Sequence, residues 1–296
     1  IIRSELMPIL PQGGRFNWLF ALSAPLNFID RDKRCDGLMA QPHWPSFTMT
    51  DAGIVAEYVQ KVHSCWLSWS NGEGNAHERM LDLHKIISDI HRKCGVLPSI
   101  FHSYNAPATY DPATGISSFS NGMFQSNVWT MQINEHLAKE KMLSIDNFLT
   151  IIETVYHEGR HVEQFWLIVV DALYEWRHEV GPGEYAVYET DIEDLHQKTR
   201  IPYWVLHEAA KKACYRPQLP EVPSKGHEKL IVMIKSWWDY YFGRYVPKAA
   251  EIYANMNTSE YGYHQYVSHL PTEADAFAAQ QLVRKQFVSV ARLLTG

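Results

Sequence analysis

The apolar pattern of this 296-residue chain predicts a predominantly helical α+β fold organised round one long helix. Three observations carry that prediction. Most of the chain repeats apolar residues at helical spacing. Between residues 97 and 134 the period shortens to that of short β-strands separated by turn residues. The longest helical run, 144–176, follows directly and is apolar enough to belong in a core.

Taken in order, residues 1–46 carry Pro8, Pro11, Gly13, Gly14, Pro25, Pro42 and Pro45. These break any long element, so an irregular N-terminal arm is expected, followed by one continuous domain over 47–296. Residues 50–69 keep helical spacing through Ile54, Val55, Tyr58, Val59, Val62, Cys65, Trp66 and Trp69. A second helix over 76–92 turns Met80, Leu81, Leu83, Ile86, Ile87 and Ile90 inward, and Asn71-Gly72-Glu73-Gly74-Asn75 is the loop between the two. His77, His84 and His91 recur about two helical turns apart, too far for one ion, and are read as surface or half-buried side chains. Runs at 97–104, 116–120 and 128–134, bounded by Tyr110-Asp111-Pro112-Ala113-Thr114-Gly115 and Asn121-Gly122, predict a small antiparallel sheet. Its last strand, 127–134, is either an edge that aligns an extended substrate or an ordinary sheet edge. The long helix takes Ser144 as its N-cap, and its pattern ends after Trp176, ahead of Gly181-Pro182-Gly183. Loops with short helices at 185–197 and 202–213 follow, then a helix at 226–241 in which Trp237 and Trp238 are packing residues. Thr272-x-x-Asp275 opens a terminal helix in the manner of a capping box.

Composition excludes several classes. Hydrophobic residues at 46% and charged residues at 20% are ordinary globular values, which argues against disorder. A formal charge of -6 with scattered Lys and Arg leaves no electrostatic footprint for nucleic acid. Cys35, Cys65, Cys94 and Cys214 are widely spaced without a C-x-x-C, so buried thiols are expected, with a single bridge left open. No run reaches the length of a membrane span, because the most apolar stretch, 165–173, is interrupted by Asp171. The chain starts at Ile1 with no basic, apolar, small-residue signal after it, and reads as a processed product or an excised domain.

The chemistry concentrates in His157-Glu158-Gly159-Arg160-His161, inside the long helix. Among the His-Glu dipeptides that start at His77, His157, His178, His207 and His227, only the one at His157 has a second histidine one helical turn on. Histidines at that spacing project from one face and can hold one cation with Glu158 alongside; the competing use is a polar helix face. Gly159 costs about 1 kcal/mol mid-helix relative to Ala, and its expected use is to let another backbone pass close to the metal face. A catalytic zinc site needs a third protein ligand. Glu273, in the first turn of the terminal helix, is the candidate, with His264 and His269 as alternatives.

His157-Glu158-x-x-His161-x-x-Gln164, followed by Pro271-x-Glu273-x-Asp275-Ala276, resembles the gluzincin-type metallopeptidases. It is most similar to bacterial domains with H-E-x-x-H-x-x-Q and a downstream P-x-E-x-[ED]-A in toxins and contractile-injection-system proteins. The resemblance implies a zincin-like catalytic core and one zinc ion held by His157, His161 and Glu273. It also implies Glu158 as the catalytic base, and Asp275 as an acid that orients a ligand histidine through its other ring nitrogen. The two motifs stand further apart here than in the compact members.

The expected function is therefore a zinc metallopeptidase in which Glu158 moves the proton of an activated water to the leaving amine. A further donor for the oxyanion is expected from Tyr263, Tyr266, His264 or His269, in a loop before Glu273, and Tyr263 is nominated. A protein or peptide is the expected substrate. The domain is expected to be secreted or delivered by a secretion apparatus, with an immunity or inhibitor protein as a further partner. Alternatives are a peptidoglycan-cleaving amidase or endopeptidase, and a non-catalytic structural or cargo-loading domain of a secretion particle. The intact Glu158 argues against the last.

Overall fold

The computed structural model describes residues 48–105, 109–111, 116–118, 121–214, 225–256 and 260–295; the expected arm over 1–46, with Cys35, lies outside the described residues. The fold is predominantly helical with a small sheet, an α+β arrangement. Helices α1 (Ala52–Ser70) and α2 (Ala76–Lys93) come first. Strands β1 (Ile100–Tyr104), β2 (Thr109–Asp111), β3 (Ile116–Ser118), β4 (Gly122–Gln125) and β5 (Thr130–Asn134) follow, and then the long helix α3 (Ile145–Trp176). A hairpin of β6 (His178–Gly181) and β7 (Glu184–Ala186) leads into α4 (Glu189–Thr199), α5 (Tyr203–Cys214), α6 (Lys225–Tyr241), α7 (Val246–Asn255), α8 (Glu260–His269) and α9 (Pro271–Thr295).

Local signals set most helix starts. Asn75 and Glu78 form a reciprocal capping box on α2: the Asn75 side chain accepts from the Glu78 amide, and the Glu78 carboxylate accepts from the Asn75 amide at 2.9 Å. Ser144 caps α3 by accepting from the Asn147 amide. Pro271 opens α9, a position that suits its missing N–H. Thr272 consequently sits inside the first turn, so the expected capping box there does not form. Residues 263–269, expected in a loop, belong to α8, and Leu81, expected to face inward on α2, is exposed.

The sheet departs from expectation in a way that matters for the site. Its order is β1-β5-β4, with β1 parallel to β5 (Ile100 opposite Thr130) and β4 antiparallel to β5 (Gly122 opposite Ile133). It is mixed rather than antiparallel, because the long connection between β1 and β5 permits a parallel return, while β2 and β3 inside it pair with each other. The strand at 130–134 is central, and β1 and β4 are the edges among the described residues.

Helix α3 is the axis of the molecule. From Ile151 to Asp171 every side chain is buried, so it is enclosed on all sides rather than presenting one apolar face. It packs against α9, α5, α2, α6 and β4. Phe148 shows how it is gripped: its fully buried ring meets Trp66, Trp69 and Phe287 at 5.2, 5.6 and 5.4 Å. Burial of such a side chain contributes about 1.5–3 kcal/mol. A smaller cluster around Ile252, Met256, Tyr266 and Leu270 seats α7 and α8 against the start of α9, with Phe277 packed on it. Trp237 is a packing residue, buried with Leu167, Ile168 and Ile234. Cys65 and Cys94 are free thiols. No described helix is long and apolar enough to cross a membrane.

Candidate metal centre

His157 and His161 lie one turn apart on α3, and their Nε2 atoms converge to 3.1 Å. Glu273, in the first turn of α9, brings Oε2 to 3.5 Å from His157 Nε2 and Oε1 to 3.5 Å from His161 Nε2. All three side chains are buried. Among the described residues they are the one group of His, Cys, Asp or Glu placed to share an ion. Ligand atoms about 2.0–2.1 Å from a tetrahedral zinc stand roughly 3.3 Å from one another, so the observed separations fit that ion. Two buried polar atoms in the cluster, Oε2 of Glu273 and Nδ1 of His157, have no hydrogen-bond partner among the described residues. A buried carboxylate oxygen left in this way favours a cation beside it.

The electrostatics point the same way. Burial by itself would raise the Glu273 carboxyl, but His161 and His157 together outweigh it and hold the group well below the usual carboxylate range. Burial would likewise depress the His161 imidazole, yet Glu273, Glu158 and Gln164 push it up to about 9. A metal ion bound by these groups would compete with protons for them. Burial raises the Glu158 carboxyl above its ordinary value and Glu273 adds to this, while His157, His161 and the Phe124 amide pull the other way.

The Phe124 amide reaches Glu158 because of the strand register. Asn134 donates its amide to the Asn121 carbonyl, which fixes the alternation so that the Gly122 and Phe124 main-chain groups point away from β5. Gly122 allows β4 to lie this close, since a Cβ there would stand 2.7 Å from Thr154 Cγ2 and 3.1 Å from Glu158 Cγ. The edge strand beside the base is therefore β4, and not the strand at 127–134 expected from the sequence.

Several other expectations are redirected. Asp275 does not meet a histidine ring among the described residues. It pairs with Arg160 (Nε to Oδ2, 2.6 Å) and accepts from Gln164 Nε2 at 2.7 Å, and Gln164 is what touches His161. Tyr263 is 37% exposed on α8, where it packs near Tyr266. The phenol that reaches the cluster is Tyr253 of α7, which donates to Glu273 Oε1 at 3.1 Å and is bonded in turn to Tyr241. Burial and the nearby Glu273 hold the Tyr253 hydroxyl well above its ordinary value, so it stays a donor. Nothing local marked Tyr253: α7 was not expected, and its register toward Glu273 is a tertiary matter. His264 and His269 are exposed on α8, outside the cluster.

Gly159 makes room for side chains rather than for a backbone. A Cβ there would lie 2.8 Å from Ile87 Cγ1 and 3.1 Å from Met49 Cε. Its carbonyl accepts from Nε2 of His91 at 3.0 Å, and His91 is fully buried rather than at or near the surface. Behind the histidines, Arg160 forms an ion pair with Glu163 and lies over the Trp237 ring. The Glu163 carboxylate accepts the Met49 amide at 3.1 Å.

Comparison with known family models, curated proteins and solved structures finds no match for this chain.

Proposed function

We propose that this chain is a zinc-dependent hydrolase of amide bonds, in which His157, His161 and Glu273 hold one zinc ion and Glu158 is the general base. The observation that carries the reading is the buried trio of donors 3.1–3.5 Å apart with a second buried carboxylate next to it. A zinc ion bound there supplies Lewis acidity toward a carbonyl and a water acidified to a pKa of about 7. Glu158 takes the proton of that water and returns it to the leaving amine. Tyr253 keeps Glu273 oriented by donating its hydroxyl to Oε1. β4 is an edge strand of the sheet among the described residues and runs beside Glu158, which favours an extended protein or peptide as substrate. A paired-histidine helix under an edge strand, with its third ligand from a second helix, supports a zincin-like core of gluzincin type. The motif resemblance supports a toxin or effector setting.

The test is metal content by mass spectrometry on chelator-free protein, for the wild type, His161→Ala and Glu273→Ala. Near-stoichiometric zinc, lost or strongly reduced in both variants, is the expected result. Zinc absent from the wild type even after reloading would leave a structural domain with a vestigial motif. Casein and peptidoglycan, offered to the zinc-loaded protein, separate peptide from cell-wall hydrolysis.

A further inference from the structure

Gln164 sits at the junction between the two ligand-bearing helices. Its amide nitrogen donates to the Thr272 carbonyl at 3.0 Å and to Asp275 Oδ2 at 2.7 Å, both on α9. Two acceptors around one nitrogen fix which way the amide points, because an amide oxygen placed there would face two oxygens. Its oxygen must therefore face Nδ1 of His161, 2.9 Å away, and that nitrogen must be the donor. With the proton on Nδ1, the Nε2 lone pair of His161 is the one available to a metal. His157 has no such arrangement: its Nδ1 is buried without a partner, and its ring packs against Phe277 at 4.7 Å.

We infer that Gln164 is a positioning residue for the metal centre, setting the ring orientation and tautomer of His161 and at the same time fastening the turn that carries Glu273. The inference rests on the zinc-hydrolase reading and deepens it. The Thr272 carbonyl belongs to the residue before Glu273, so the bond from Gln164 fixes the backbone of the carboxylate ligand while the other end of the amide fixes the imidazole ligand. Asp275 keeps the amide from flipping and is itself held by Arg160. One side chain thereby sets the distance between ligands on two helices.

The test is zinc affinity by chelator competition on the full chain, with the visible spectrum of the cobalt-substituted protein as a second readout. Gln164→Leu is expected to weaken zinc about 10- to 100-fold and to alter the cobalt spectrum. A purely structural role would lower the melting temperature of the metal-free protein without moving the cobalt spectrum. Wild-type zinc affinity and an unchanged spectrum in Gln164→Leu would overturn the inference and leave the hydrolase reading standing. A wild type that takes up no zinc would overturn both.

Discussion

Two sides of α3 are equally buried, and their polar groups are finished differently. Behind the histidines, Arg160 is bonded to Asp275 and Glu163, Glu163 takes the Met49 amide, and the Tyr156 hydroxyl donates to the Met49 carbonyl. The exception there is Nδ1 of His91. In front, a carboxylate oxygen of Glu273 and a ring nitrogen of His157 have no hydrogen-bond partner among the described residues, and a second carboxylate, Glu158, is buried beside them. Burying polar groups costs free energy unless they are paired, so the completed rear holds the helix in place and the incomplete front is where a cation fits. The rear is predicted to govern stability, and the front activity.

The largest expected effect is at the front. Glu158→Gln should lower kcat by about 10²- to 10⁴-fold while zinc content and unfolding stay close to wild type. Retained activity in every hydrolysis assay would end the assignment of Glu158 as base. Next comes the rear: Arg160→Met leaves Glu163 and Asp275 without their cation and should cost about 3–5 kcal/mol in urea unfolding of the metal-free protein. A loss below about 1 kcal/mol would mean that the carboxylates find other partners and that the two sides do not differ as described.

A smaller effect tests the exception. Burial pushes the His91 imidazole down to about 4, partly offset by its bond to the Gly159 carbonyl. The unfolded chain takes up this proton below about pH 6.5, whereas the folded chain resists it. The stability from His91 is therefore full above that pH and lost as the pH falls toward about 4, by roughly 3 kcal/mol at most. Urea unfolding at about pH 7 and about pH 4 should show a steeper loss for wild type than for His91→Gln. Equal losses would mean that His91 is not held neutral in the fold.

Much of this organisation was legible locally. The extents of α1, α2, α3 and α9 follow apolar periodicity, and Ser144 announces the start of α3. His157, Glu158 and His161 could be assigned together because their relation depends only on the pitch of one helix. Glu273 came from the resemblance of its motif, and the fold brings it to 3.5 Å from both rings.

What sequence alone determined was the set of relations within single elements, since helical pitch and caps act over a few residues. Tertiary structure decided the rest: the parallel return of β1 beside β5, β4 as the edge next to Glu158, the Tyr253 contact, and the route from His161 through Gln164 to Asp275. Arg160 and Asp275 meet across 115 residues of chain. No local period records such a pairing, because it depends on which faces of distant helices pack together, and in an α3 enclosed on all sides the pattern does not say which neighbour each face receives.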